Sequence, residues 1–234
     1  MTYTDVAKAI KKQADPVRAE HSQGFFRTGK GQYGEGDVFL GLTVPKQRTI
    51  AKQFRDLPLS DVQTLLTDKY HEHRLTALII LVSQYERGDE KKKKTIVDMY
   101  LANLKWVNNW DLVDVTAPKI LGRWLLARDK KMLYKLAKSK DLWEKRVSIV
   151  TTWMFIREGK LKDTFKLSEI LLHDKHDLIH KAVGWMLREA GKKDIVQLEA
   201  FLAKHYKSMP RTMLRYSIEK FPEVRRKMYL KGLI

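Results

Sequence analysis

Apolar residues recur at helical spacing along most of this chain. From Leu142 to Arg157, Leu142, Trp143, Val147, Ile149, Val150, Trp153, Met154 and Ile156 cover a wide arc of one helical wheel. From Asp177 to Ala190, Ile179, Ala182, Val183, Met186 and Ala190 form a narrower stripe. Start and stop signals punctuate these runs. Asp15-Pro16 pairs an N-cap with proline at the first helical position, Ser60-x-x-Gln63 has capping-box form, and Asp141-x-x-Glu144 precedes the long apolar arc. Gly88, Gly159 and Gly191 each follow a helical run, as helix-ending glycines do. No segment sustains strand alternation between turn signals, so an all-α fold is expected.

A repeat is faintly visible within this pattern. Arg74, Trp110, Arg146 and Lys181 occupy comparable predicted helices at intervals of 36, 36 and 35 residues. Intervals of that size suit stacked helix pairs, each burying its apolar face against its neighbours. The expectation at this point is a stack of paired-helix repeats, with four unrelated helices as the competing reading, and residues 1–234 forming one domain.

One stretch breaks the helical pattern. Between Arg27 and Leu42 lie Gly29, Gly31, Gly34, Gly36 and Gly41, interleaved with Tyr33 and Phe39 and preceded by Phe25 and Phe26. Gly29 to Gly34 spells G-x-G-x-x-G, but a dinucleotide site needs a strand before it and a helix directly after it, and neither is predicted. Two readings remain: a loop whose amides approach a backbone phosphate, or a purely structural loop.

Charge narrows the choice of partner. Lys and Arg number 46 against 28 Asp and Glu, a formal excess of +18. Solubility alone asks for roughly 2–8 charges on a small domain, so the excess points to a polyanion such as nucleic acid. The chain has no cysteine, which excludes disulfides, thiolate metal sites and a thiol nucleophile. No apolar run approaches the ~18 residues of a membrane span and the N-terminus has no signal core, so a cytoplasmic monomer without membrane contact is expected, nucleoid-associated when bound to DNA.

Candidate chemistry gathers at a few positions. Trp110 and Asp114 lie four residues apart and share a helix face, so an indole and a carboxylate project side by side; Trp110 as a core residue is the competing reading. Arg146 falls near the middle of the apolar arc, where a guanidinium needs a partner, a polar cleft or room to snorkel. Lys181, Trp185 and Arg188, at i, i+4 and i+7, form a cationic stripe with an aromatic plate in it, suited to phosphate neutralisation. His173, His176 and His180 share a spacing that could hold a metal, but no acidic ligand motif supports it, and neither a metal nor another cofactor is expected.

Four segments together resemble the AlkD-type DNA alkylation repair family: Gly34-Glu35-Gly36-Asp37-Val38-Phe39-Leu40-Gly41, Trp110-Asp111-x-x-Asp114, Leu142-Trp143-x-x-Arg146 and Lys181-Ala182-Val183-Gly184-Trp185-Met186-Leu187-Arg188-Glu189. The resemblance spans almost the whole chain. It implies an all-α HEAT-like superhelix, an α-solenoid with a basic concave groove, and a glycosylase that releases N3- and N7-alkylated purines, such as 3-methyladenine and 7-methylguanine, from double-stranded DNA without flipping the base into a pocket. By the same resemblance Asp114 would be the catalytic carboxylate, Trp110 and Trp185 would pack against the DNA backbone at the lesion, and Arg146 would contact phosphate. Arg188, Lys181, Phe26 and Asn109 complete the expected DNA contacts. The chain departs from the family pattern in carrying Asp177-Leu178 where paired aromatics stand, and Phe25 or Phe26 in place of an N-terminal tyrosine. A DNA binder without catalysis is the alternative.

The charge excess predicts a steep salt dependence. Duplex affinity should fall with a log–log slope near −0.9 per phosphate neutralised, measured by fluorescence anisotropy across a salt series. An affinity unchanged by salt would contradict nucleic-acid binding through this charge.

Overall fold

The computed structural model describes residues 1–234 and is all-helical; the strand-like element is a single bridge between Val38 and Tyr70. No helix is long and apolar enough to cross a membrane. The chain divides into two compact units, Met1–Thr116 and Ala117–Ile234.

The first unit contains α1 (Tyr3–Lys11), α2 (Pro16–Phe25), α3 (Val44–Gln53), α4 (Leu59–Leu66), α5 (His71–Arg87), α6 (Glu90–Ala102) and α7 (Trp110–Thr116). Helix α5 is its axis, with α1, α3, α4, α6 and α7 packed around it. Its apolar positions Leu75, Leu78, Ile80 and Leu81 are sealed from solvent, as the sequence pattern requires. Its first turn is buried too, although His71, Glu72, His73 and Arg74 are all ionisable. Such a turn can be buried only if each group finds partners. Glu72 finds three: its carboxylate accepts the backbone N–H groups of Leu40 (2.9 Å), Gly41 (2.7 Å) and Leu42 (3.2 Å). These are charge-assisted bonds, and a negative charge in the first turn also complements the helix dipole.

The second unit contains α8 (Arg123–Leu125), α9 (Lys131–Ala137), α10 (Leu142–Arg157), α11 (Lys162–Ile170), α12 (Asp177–Lys193), α13 (Ile195–His205), α14 (Arg211–Ser217) and α15 (Glu223–Lys231). Helix α10 packs on α12, and α12 on α14, while α9 packs on α11. Phe165 of α11 meets Phe201 of α13 with ring centroids 5.6 Å apart. One layer is therefore α10–α12–α14 and the other α9–α11–α13, the stacking of helix pairs found in HEAT-like repeats. The four residues at 35- to 36-residue intervals fall in the first two turns of α5, α7, α10 and α12.

Most helix boundaries follow the sequence signals. Asp15 accepts Arg18 N at 3.1 Å, with Pro16 at the first position of α2. Asp141 accepts the N–H groups of Trp143 and Glu144 at 2.8 and 2.9 Å. Gly159 ends α10 with φ +70°. Pro118 interrupts the α-helical run: α7 stops at Thr116, and a short π-helix spans Pro118–Gly122.

Three signals are corrected. The Ser60-x-x-Gln63 box does not form, because α4 starts earlier, at Leu59 behind Pro58, and Ser60 lies inside the helix. Gly88 ends α5 with extended backbone and needs no glycine conformation there. Gly191 ends nothing: α12 runs on to Lys193. A Cβ at 191 would come within 2.3 Å of Leu198 Cδ2, so this glycine serves close packing of α13 on α12.

Gly41 is the position where backbone conformation matters most. It has φ +86°, and a Cβ there would lie 2.1 Å from Asp15 O. Gly31 also has a left-handed φ, +76°, but faces open space. Gly31→Ala should therefore cost about 1–2 kcal/mol, the ordinary left-handed penalty, and Gly41→Ala distinctly more, because its methyl meets backbone. Urea melts of the two variants check this; equal midpoint shifts would contradict it.

Candidate active site

The polar centre of the first unit is a set of buried charges. Asp37, delivered by the glycine-rich loop, accepts Arg74 Nη2 at 2.6 Å and lies 3.2 Å from His71 Nδ1. On the other side of the ring, His71 Nε2 is 2.8 Å from Asp111 Oδ2. Asn108 and Asn109 donate to Asp37 as well, at 3.2 and 3.4 Å. Arg74 spends Nη1 on the carbonyls of Asp68 and Lys69, both at 3.0 Å. The His71, Arg74 and Asp37 side chains are 2–3% exposed and Asp111 is 12% exposed.

Two cations and two carboxylates thus compensate one another away from water. Burial disfavours the His71 imidazolium, but the Asp111 charge and hydrogen bonds to Asp111 and Asp37 outweigh it against the opposing charge of Arg74, and His71 is carried up to about 9. Burial likewise pushes the Asp37 carboxyl up, yet His71, Arg74 and Asn109 hold it below the usual carboxylate range. His71 is therefore an imidazolium at neutral pH, donating from both nitrogens.

A tier of rings joins this centre to α7. Phe39 stacks on His71 (centroids 4.6 Å apart, 26° between planes), and Phe26 stacks on Phe39 at 5.0 Å and 12°. Trp110 lies on Phe26 at 5.3 Å and 27°. Phe25, largely exposed, meets Phe26 and Trp110 edge-on at 5.0 and 6.0 Å. Trp110 is therefore half-buried against an aromatic wall and not enclosed in the core.

Helix α7 is short, with seven residues, and is held at several points. Its first N–H, of Trp110, goes to Asn109 Oδ1 at 2.8 Å, Asp111 is bound to His71, and Thr116 meets the Tyr100 hydroxyl at 3.0 Å. Burial, with a smaller push from the Asp114 charge, raises the Tyr100 phenol against the lowering effect of Thr116, so it stays protonated. Asp114 lies between these anchors, partly exposed and one turn beyond Trp110.

The second unit carries the remaining expected residues. Arg146 is not a snorkelling side chain; it is buried, and Nη1 donates to Leu178 O at 2.7 Å, tying α10 to the first turn of α12. Trp185 is half-buried on α12. Lys181 pairs with Asp177 at 2.7 Å, and Arg188 pairs with Glu219 and with Glu189 at 3.2 Å, so the cations of the stripe carry their own counter-charges.

Other expectations change on inspection. Asn109 is fully buried and committed to Asp37, which removes it from the DNA contacts. Several amides of the glycine-rich loop are occupied from within, Gly29 N–H by Gln32, Gly31 N–H by Glu35 at 2.8 Å, and those of residues 40–42 by Glu72. His176 Nδ1 accepts Leu178 N, and His180 contacts the Asp174 carbonyl, so these histidines build the turn ahead of α12. No group of three or more His, Cys, Asp or Glu could hold a metal ion. The residues missed from sequence are Asp37, His71, Arg74 and Asp111. One signal was available: Arg74, like Arg146, stands among apolar residues of a long helix.

Comparison with known proteins adds a relationship. The sequence profile of a family described as DNA alkylation repair enzyme matches residues 6–221. Among solved structures, a predicted DNA alkylation repair enzyme from Enterococcus faecalis aligns with a TM-score of 0.70 at 16% identity, covering 90% of this chain and 98% of that one. At that identity the likeness is one of fold. No curated protein matches the chain.

Asp37→Ala would leave two buried cations short of a partner, and should lower stability by about 3–5 kcal/mol in urea melts. The pH dependence follows from the shifts. His71 has a raised pKa, so its contribution is full below about 6.5 and is lost as pH rises through about 9. Asp37 has a lowered one, so its contribution is present above the ordinary carboxylate value of 3.8 and is lost as pH falls below it. Urea midpoints should therefore drop between neutral pH and about 9.5, and His71→Asn should be less stable but show a flatter decline. Equal declines would contradict the pairing.

Proposed function

The chain belongs to the DNA alkylation repair enzyme family, and from that premise we propose that it is a DNA glycosylase hydrolysing the N-glycosidic bond of cationic N3- and N7-alkylated purines in duplex DNA. The observation that carries this reading is the division of labour on α7. Asp111 turns inward to His71, whereas Asp114 stands partly exposed one turn beyond Trp110. A carboxylate beside an indole, on a helix fixed by buried ion pairs, suits stabilisation of a sugar cation.

A purine alkylated at N3 or N7 already carries positive charge. Its C1′–N9 bond breaks with the electron pair leaving on the base, which departs neutral and needs no proton. The sugar is left as an oxocarbenium ion, stabilised by the Asp114 carboxylate and the face of Trp110. Water oriented by Asp114 adds to C1′ and releases its proton to that carboxylate or to solvent. His71 is the nearby acid, but both of its N–H groups are held by Asp37 and Asp111, so it cannot protonate a leaving base. Neutral lesions, which need such a proton or donors in a base pocket, should be refused. Phe26, Trp185, Lys181 and Arg188 are assigned to DNA contact, with Arg188 and Lys181 exchanging carboxylates for phosphates.

Release of free base from a duplex carrying 7-methylguanine tests this. Asp114→Asn should slow single-turnover release by on the order of 10²–10³ while duplex affinity is kept or rises, and uracil and hypoxanthine should stay in place. Near-normal turnover by Asp114→Asn would move the catalytic role elsewhere. No release of any cationic purine by the native chain would make it a non-catalytic DNA binder.

A further inference from the structure

His71 bonds both carboxylates of the polar centre, and its side chain, 2% exposed, never reaches solvent. Nδ1 faces Asp37 at 3.2 Å and Nε2 faces Asp111 at 2.8 Å. Asp37 is fixed in place, since Arg74, Asn108 and Asn109 also donate to it. Asp111 belongs to α7. The ring is thus a strut, with one end anchored in the glycine-rich loop and the other on the helix that carries Trp110 and Asp114. The ring stack adds a second line to the same helix, because Phe26 lies 5.2 Å from the His71 ring and 5.3 Å from that of Trp110.

Rotation of α7 about its own axis is what such a strut controls. Burial of Leu112 and Val113 decides which face of the helix meets the core, but apolar contact is non-directional and tolerates small rotations. The directional contacts are those of Trp110 N with Asn109, Asp111 with His71, and Thr116 with Tyr100. A side-chain carboxylate stands about 5–6 Å from a helix axis, so a rotation of about 10° carries it about 1 Å. Misplacement on that scale can cost on the order of 10²-fold in rate. Asp111 follows Trp110 directly and precedes Asp114 by one turn, so the bond that holds Asp111 sets the direction of both.

Only the imidazolium can hold both ends. It has two N–H groups where a neutral imidazole has one, and a bare ring nitrogen would set its lone pair against a carboxylate. The charged groups facing the ring are Asp37 from the loop, Asp111 from α7 and Arg74 from its own helix, while Glu72 is spent on the amides of residues 40–42. Burial disfavours the charged ring, but the Asp111 charge and the bonds to both carboxylates outweigh burial and Arg74 together, and His71 is carried up to about 9. The strut is therefore complete at neutral pH and loses one of its ends above that value.

We propose that His71 is a positioning residue for base excision: by holding Asp111 it fixes the rotation of α7 that Asp114 needs, without itself touching DNA. The proposal rests on the reading of Asp114 as the carboxylate that acts on the sugar. Its consequence is that the protonation of a ring buried at the start of α5 governs turnover and leaves binding alone.

Single-turnover release of 7-methylguanine, measured beside duplex anisotropy between about pH 6.5 and 9.5, tests it. In the native chain release should fall as pH rises toward and through about 9, with duplex affinity held. Two substitutions separate the ends of the strut. The Asn amide stands where Nδ1 does and reaches only Asp37, and the Gln amide stands where Nε2 does and reaches only Asp111. His71→Asn should slow release at neutral pH by about 10²-fold and His71→Gln by about tenfold at most. Both should keep native duplex affinity, and both should lack the alkaline decline. Titration of the lesion itself is common to all three proteins, so the difference between their profiles reads His71. Asp111→Asn keeps an oxygen for Nε2 but removes the charge that most raises the ring, and should move the decline to lower pH; it decides the matter if neither His71 variant folds in urea melts. A native profile no steeper than those of the His71 variants, native-rate release by His71→Asn, or a decline unmoved in Asp111→Asn would overturn the proposal and leave the role of Asp114 standing. No release by the native chain at any pH would remove the excision reading, and this proposal with it.

Discussion

Burial of the first turn of α5 is the constraint on which the first unit depends. His71, Glu72 and Arg74 are carried into the interior by the apolar residues that follow them, and a charge taken out of water costs several kcal/mol unless it is compensated there. Compensation comes from two directions at once. The glycine-rich loop supplies Asp37 to His71 and Arg74, together with the three amides that hold Glu72, and α7 supplies Asp111 to the other side of His71. Both segments also pack, through Phe39 and Leu42 of the loop and Leu112 and Val113 of α7. The polar contacts with α5 fix their register.

That dependence gives the candidate site its rigidity. A seven-residue helix is marginal in isolation. Here Asp111 and Thr116 pin it to α5 and α6, and the ring stack from Phe39 through Phe26 braces Trp110. Under the proposed function, preorganisation of this kind would let a single carboxylate act in the transition state without first reorganising its surroundings. In the second unit a buried arginine does comparable work: Arg146 satisfies the Leu178 carbonyl and ties α12, with Trp185 and Lys181, to α10.

Much of the fold was legible in the sequence, because helical periodicity and N-caps are local. Asp15 and Asp141 cap the helices they were expected to cap, and the interval between Arg74, Trp110, Arg146 and Lys181 marks successive helix pairs. The shared face of Trp110 and Asp114 was readable because residues four apart on a helix are neighbours. The ion network was not, since Asp37 lies 34 residues from His71 and 37 from Arg74 and no short-range pattern links them. Gly191 misled for a different reason: a glycine kept for close packing and one that ends a helix look the same until the neighbouring helix is in place. The glycine-rich loop showed that its backbone turns, not that Glu72 would take up its amides.

The protonation state of His71 is the most direct measure of whether buried charges hold this site together. Nitrogen-15 NMR of the imidazole, followed through alkaline pH, reports both ring nitrogens separately. If Asp37 and Asp111 grip the ring as described, both nitrogens are protonated at neutral pH and the ring titrates near 9. A neutral ring at pH 7, titrating at or below the ordinary value of 6.5, would mean that α7 and the loop are held by something other than this charge pairing.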